Sequence, residues 1–221
     1  MKLIDGRSMN KIELADVACI RGGRLLFSGL SLQVGPSLKV LRLTGPNGCG
    51  KSSLLKIIAG LLPMAKGCVS FQGEPLKSED IIFLDYKPIL KPLLTVLENL
   101  KFWADLYGVS QANLELASES LGLVPLLHMP FNVLSSGQKK RAQLALLYLK
   151  PAKVWILDEP LLSLDHTYAN RLGDIVKGYM CNGGIVVYAS HDALQGFADI
   201  TLDLTVYTGA QRNQDDFMDA A

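Results

Sequence analysis

The feature that most limits the fold of this chain is the run Gly45-Pro46-Asn47-Gly48-Cys49-Gly50-Lys51-Ser52, which follows the apolar segment Leu38–Leu43 and leads into Ser52–Leu62, apolar on most faces. A strand entering a glycine turn and leaving as a buried helix makes strand, loop and helix neighbours. Glycines admit positive φ, so successive backbone N–H groups converge on one point, and the following helix adds the positive end of its dipole. Such a cradle suits phosphate oxygens. Lys51 supplies a point charge and Ser52 a hydroxyl for Mg²⁺, and Ser53 completes the expected binding set. At average glycine usage the spacing alone arises in roughly one chain in a hundred of this length, and the flanking strand and helix remove most of that risk.

Farther along, Val154-Trp155-Ile156-Leu157 is an uninterrupted apolar strand that ends in Asp158-Glu159-Pro160. Two adjacent carboxylates at a buried strand end are costly unless a cation or ligand uses them. Asp158 suits a direct or water-mediated Mg²⁺ contact. Glu159 can polarise a water for in-line attack on a γ-phosphate, a role worth about 10²–10⁴-fold. Leu134-Ser135-Ser136-Gly137-Gln138 lies at a helix start, where N–H groups and the Ser135 hydroxyl form a second anion site. One chain then owns two phosphate-binding helix ends.

Around these motifs the pattern is mixed α and β. Residues 12–35 alternate in short apolar groups with Gly22-Gly23 and Gly29, predicting a small antiparallel sheet to which Val69–Gln72 returns. Thr95 and Glu98 have capping-box spacing ahead of Leu97, Leu100 and Trp103. A second helix starts at Ser110 with Leu114, Ala117 and Leu121 on one face, and a third follows the Leu134 motif and ends near Pro151. Val154–Leu157 and Ile185–Ala189 read as strands buried on both faces of a parallel sheet.

In order and content these motifs resemble the ATP-binding-cassette (ABC) ATPases, whose signature loop reads LSGGQ. The resemblance implies an α/β P-loop NTPase with a mainly parallel core sheet, a small N-terminal antiparallel β subdomain and an α-helical signature subdomain at about 89–137. It implies two ATP–Mg²⁺ held between head-to-tail copies, the signature Ser135, Ser136, Gly137 and Gln138 of one closing over phosphates held by the other. It makes His191 the γ-phosphate sensor and catalytic partner of Glu159 and Lys51, and Asp165, in Ser163-Leu164-Asp165, a contact across the dimer. Nothing near His128 or His166 suggests ligand spacing.

Two positions depart from the cassette pattern. Counting back from Thr95-Val96-Leu97-Glu98-Asn99-Leu100, the usual Mg²⁺-binding glutamine is Lys87, whose ammonium has only donors and cannot coordinate a cation. Where the family has an adenine-stacking aromatic stands Arg21, whose planar guanidinium can stack on a purine. The stretches Arg21–Ser31, Lys51–Leu55, Trp155–Pro160 and Gly183–Val187 are similar to the haem-exporter ATP-binding subunits of cytochrome c maturation, over about residues 11–200. That resemblance implies a homodimer beneath integral-membrane subunits, peripheral on the cytoplasmic face of a bacterial inner membrane or the matrix side of a mitochondrial one. Haem itself is an inference from resemblance, since no haem-ligating motif stands in the chain.

Composition fits and excludes. A formal charge of +1 with 19% charged residues leaves no electrostatic footprint for nucleic acid. A mean hydropathy of +0.24 fits either a large buried sheet or an apolar surface kept for a partner. No apolar run approaches the ~18–20 residues needed to span a bilayer. The four cysteines lack metal or CxxC spacing, which suits a reducing compartment and core or loop thiols. Residues 1–10 read as an N-terminal extension, with a natural start at Met9, residues 11–210 as the ATPase domain and residues 211–221 as a flexible tail. Ile89, Leu90, Leu93 and Leu94 are the expected seat of a membrane partner, although core packing explains them equally well. Of the rival readings, an ABC ATPase acting on DNA or ribosomes lacks room for a long insertion between Lys51 and Ser135. A non-hydrolysing regulatory subunit sits poorly with Glu159 and His191, although Lys87 keeps it open.

Overall fold

A computed structural model describes residues 10–194 and 200–208. The expected extension, apart from Asn10, and the expected tail lie outside the described residues. Asn10 is tied to the fold: its amide donates to the Gly183 carbonyl at 2.7 Å and accepts from Gln72 at 3.0 Å.

The N-terminal alternation forms β1 (Ile12–Arg21) and β2 (Arg24–Val34), antiparallel and joined at Gly22-Gly23, with β4 (Lys66–Phe71) on the other side of β1. Gly67 lies so close to the Ala15 and Asp16 backbone that no side chain fits there. The second sheet is five-stranded and parallel throughout, in the order β5 (Ile81–Leu84), β6 (Val154–Asp158), β7 (Ile185–Ala189), β3 (Val40–Thr44) and β8 (Ile200–Asp203).

Strand periodicity divides the core into two layers. Ile185, Val187, Ala189, Val154, Ile156, Leu41 and Leu43 join one cluster with the antiparallel sheet and α1 (Lys51–Ile58). Val186, Tyr188, Trp155, Leu157 and Val40 join the other, with α2 (Val96–Tyr107), α3 (Gln111–Ser120), α4 (Ser136–Leu144), α5 (Leu146–Leu149) and α6 (His166–Cys181). Every residue of β6 and β7 is buried, which explains the apolar run of β7 and of β6 up to Asp158.

The capping box of α2 forms as its spacing predicts: Thr95 N–H donates to Glu98 at 2.7 Å and Glu98 N–H to the Thr95 hydroxyl at 3.2 Å. Two helix ends differ from expectation. α1 starts at Lys51 and stops at Ile58 rather than Leu62, because Gly60 adopts φ 69° and the Leu61 and Leu62 amides fold back onto the Lys56 carbonyl. The helix expected to run unbroken to Pro151 divides at Ala145, where Tyr148 N–H donates to Ala145 in a tightened turn. Three elements carry little sequence signal: β5 is four residues long, β8 has an intermediate–exposed pattern, and α6 buries only Leu172, Gly173 and Val176.

Candidate functional site

β3 delivers the chain into the glycine loop, where Gly45, Gly48 and Gly50 adopt φ of 132°, 83° and 110°. A side chain at Gly45 would strike the Cys49 sulfur, and one at Gly50 the Phe27 ring. α1 begins directly after Gly50 with no side-chain cap, so its N-terminal amides are left for an anion. The Lys51 ammonium, 8% exposed, turns back over the loop and donates to the Gly45 carbonyl at 2.6 Å and the Pro46 carbonyl at 3.1 Å.

β6 brings its terminal carboxylates to the same place. Asp158 is 3% exposed, with Ser52 beside it in the same cavity lining and Oδ2 buried without a partner. Burial pushes its pKa above the ordinary carboxylate range, and Asp85 adds to that, while Ser52, Lys56 and Lys140 oppose it. An orphaned carboxylate oxygen beside a hydroxyl is a hard-oxygen pair that fits Mg²⁺. No cluster of three or more His, Cys, Asp or Glu side chains able to hold a metal stands among the described residues, so phosphate and water oxygens would complete the shell.

Glu159 sits at φ 47°, a left-handed conformation unusual for a non-glycine residue, and its N–H donates to the Ala189 carbonyl at the end of β7 at 2.9 Å. Strain of this kind persists where surrounding structure over-determines it. Burial raises the Glu159 pKa, with the nearby His191 the strongest opposing charge. A cavity of about 430 Å³ is lined by residues of the glycine loop and by Arg21, Ser52, Ser53, Asp158 and Glu159. Thus the expected phosphate, metal and base residues converge, with His191 in electrostatic range of Glu159.

Lys56 and Tyr86 also line this cavity and were not singled out from sequence. Lys56 lies one turn beyond Ser52 on α1, an i,i+4 signal that was available. It pairs with Asp85 at 3.0 Å. Lys87 follows, its Nζ 5.6 Å from the Tyr86 ring centre. Gln143 of α4 holds this loop by donating to the Asp85 carbonyl at 2.7 Å and the Lys87 carbonyl at 3.2 Å. On the same helix Lys140 is 6% exposed; burial draws its pKa down to about 8, against the pull of Asp158, Glu159 and Asp85.

The signature residues stand apart, outside this cavity's lining. Ser135 caps α4 in a reciprocal box: Gln138 N–H donates to its hydroxyl at 3.3 Å, and its own N–H donates to the Gln138 side chain at 2.9 Å. Gly137 packs against Ser163, whose carbonyl oxygen would lie 2.7 Å from any Cβ there. Asp165 caps α6, accepting from Tyr168 N–H at 3.0 Å. All four cysteines are free, with Cys19 and Cys49 buried and Cys68 and Cys181 exposed.

Comparison with known proteins agrees with this geometry. The family described as ABC transporter matches residues 27–162. The chain is 42% identical to the cytochrome c biogenesis ATP-binding export protein CcmA of Chelativorans sp. (strain BNC1), covering 77% of this chain and 86% of that protein. It is 41% identical to the protein of the same name from Nitrobacter winogradskyi, over 80% and 89% of the two chains. Among solved structures, a putative ABC transporter ATP-binding protein from Pyrococcus furiosus superimposes with a TM-score of 0.79 at 27% identity, covering 90% of this chain and 99% of the other. The chain belongs to the ABC transporter ATPases and, within them, to the group of the cytochrome c biogenesis ATP-binding export proteins.

Proposed function

We propose that this chain binds ATP–Mg²⁺ between two head-to-tail copies and hydrolyses it to drive a membrane complex of cytochrome c biogenesis, delivering haem or releasing a haem-loaded chaperone. One observation carries the reading: a glycine loop, an uncapped helix start, the buried Asp158 and the half-buried Glu159 after it share one cavity, while the signature helix end of the same chain lies outside it. A second copy supplies the missing cover.

Lys51 leaves the Gly45 and Pro46 carbonyls for phosphate oxygens when nucleotide enters, an exchange of neutral for charged acceptors. Ser52 and Asp158 would hold Mg²⁺, which would supply positive charge against that developing on the phosphates. Glu159 takes a proton from the attacking water as its oxygen bonds the γ-phosphorus and the bond to the β-phosphate oxygen breaks, giving ADP and phosphate. Its raised pKa brings it closer to the operating pH of a general base. His191 orients the γ-phosphate, Arg21 stacks on adenine, and the partner's signature loop closes the site. Residues at about 89–137 move as the helical unit.

No helix among the described residues is long and apolar enough to cross a membrane; in this reading the transported molecule's path belongs to partner subunits. Of the four apolar residues expected to seat them, Leu90 is 4% exposed and belongs to the core, because its loop turns it under α2. Leu94 is half-buried, while Leu93, 84% exposed, and Ile89 remain, with Phe102 and Leu106 on α2 extending the surface. The seat is on the inner face of the coupling membrane. Leu93→Asp abolishes capture by detergent-solubilised membrane subunits, and undiminished capture of the folded variant rejects this surface.

ATPase measurement on the wild type and Glu159→Gln tests the reading: the variant retains ATP and loses turnover. In that trapped state a bifunctional reagent links Ser135→Cys of one copy to Asn47→Cys of the other. Failure to form this link under ATP refutes the head-to-tail site.

A further inference from the structure

β7 ends level with Leu43 of β3, just before the glycine loop, and the chain that leaves it is closed back by one buried hydroxyl. The exit is fixed by the sheet: the Ala189 carbonyl accepts from Glu159 N–H at 2.9 Å, and Ser190 N–H donates to the Leu43 carbonyl at 3.4 Å. His191, Asp192 and Ala193 are then exposed, and Leu194 returns to the core of the helical layer. There its N–H donates to the Tyr188 hydroxyl at 3.1 Å. Tyr188 is fully buried within β7, in register with Arg42 of β3 and Leu157 of β6. A side chain of the sheet therefore ties the far end of the Ser190–Leu194 loop to the strand from which the loop departs.

On another side the loop meets space. Asp192, Ala193 and Leu194 line a cavity of about 470 Å³ together with Leu161 and Leu164, of the segment that leads to α6. Where packing is incomplete, a loop keeps room to shift, and a directional bond fixes its place. A tyrosine in a core position needs that bond as much as the loop does, because phenylalanine fills nearly the same volume without a hydroxyl to satisfy. His191 is the residue this loop presents. With Ala189 fastened to Glu159 at one end and Leu194 fastened to Tyr188 at the other, the reach of the imidazole is set by the span between the two bonds.

We propose that Tyr188 is a positioning residue for hydrolysis: its hydroxyl fixes the Ser190–Leu194 loop and so the reach of His191 toward the γ-phosphate. The proposal rests on the reading of His191 given above. Tyr188 is fully buried and outside the lining of the nucleotide cavity, so it acts through the loop and not on the nucleotide.

The test uses the full chain with ATP–Mg²⁺, alone and with its membrane subunits, and separates kcat from KM. Tyr188→Phe keeps the ring in the core and removes the acceptor. It lowers kcat by about 10–100-fold, the scale of a misplacement near 1 Å, and leaves KM for ATP and nucleotide affinity without turnover within about twofold. Tyr179→Phe, which removes a hydroxyl bonded to the Ala152 carbonyl at 3.0 Å and outside the cavity lining, leaves kcat unchanged. The double variant Tyr188→Phe/His191→Ala distinguishes positioning from general support: it turns over no more slowly than His191→Ala alone, because the hydroxyl acts through the imidazole. Amide exchange followed by NMR finds Leu194 N–H protected in the wild type and faster-exchanging in Tyr188→Phe; the wild-type measurement stands by itself should the variant fail to fold. A folded Tyr188→Phe with kcat within twofold of wild type overturns the proposal, as do additive losses in the double variant or an unprotected Leu194 amide in the wild type. Full turnover in His191→Ala instead overturns the underlying reading of His191, and the proposal with it.

Discussion

Replacing Arg141 should separate the signature helix from the rest of the molecule. Its guanidinium donates to the Leu121 carbonyl at 2.8 Å and the Gly122 carbonyl at 2.9 Å, at the C-terminal end of α3, and lies 4.0 Å from the Tyr168 ring centre on α6. Three helices meet on one side chain. Gly122, at φ 60°, is required there because a Cβ would collide with the Tyr168 hydroxyl and crowd the guanidinium. Hydrogen bonds to a charged donor contribute about 1.5–3 kcal/mol each, and partial exposure places these two at the lower end, about 3 kcal/mol together. Cation–π stacking adds about 0.5–1 kcal/mol. Arg141→Ala therefore destabilises by about 3–4 kcal/mol. Arg141→Lys, which keeps one donor and loses the planar fork, costs about 1.5–2 kcal/mol. Urea titration followed by circular dichroism and tryptophan fluorescence reads both as a fall in midpoint at unchanged slope. A double-mutant cycle with Tyr168→Leu isolates the stacking. A lysine variant within about 0.5 kcal/mol of wild type, less than one lost charged hydrogen bond, refutes the clamp.

Asp158→Asn abolishes hydrolysis yet stabilises the nucleotide-free chain. Burial raises the folded pKa of Asp158 above its unfolded value, so the native state holds the proton more tightly, and stability falls as pH rises from the unfolded value through the folded one. The gain in Tm from asparagine is thus largest at neutral pH and vanishes in acid below the unfolded carboxylate's pKa; a constant gain across that range contradicts it. Gly137→Ala forces the α4 start away from Ser163, and since misplacements near 1 Å cost about 10²-fold, kcat falls by about that factor while ATP affinity holds. Turnover assays returning a near-normal rate would dismiss that contact. Asn99, 2% exposed, accepts from Lys91 N–H at 2.7 Å and donates to the Lys91, Leu94 and Thr95 carbonyls. Asn99→Ala destabilises by about 2–4 kcal/mol in denaturant and weakens capture by membrane subunits, because the loop presenting Leu93 loses its anchor.

Local chemistry was legible where it acts over a few residues. The α2 capping box, the glycine turn and the apolar runs of β6 (up to Leu157) and β7 each have a physical cause within a short window, and each stands where its pattern places it. Leu90 shows the limit. It shares an apolar run with Leu93, yet one is core and the other exposed, since a loop has no periodicity from which to assign faces. α6 went unread because it buries a narrow stripe, and β5 because four apolar residues fit strand and helix equally.

By itself the sequence determined the phosphate cradle, the order of the motifs and the family, because glycine φ, helix ends and strand-end carboxylates are local properties of adjacent residues. Only tertiary structure decided which distant charges share a space. Lys56 with Asp85, Gln143 with the Asp85 carbonyl and Arg141 against Tyr168 are pairings across helices and sheet. Their partners are chosen by how two core layers close on the parallel sheet, and electrostatic interaction depends on distance and burial, which exist only once the chain has packed.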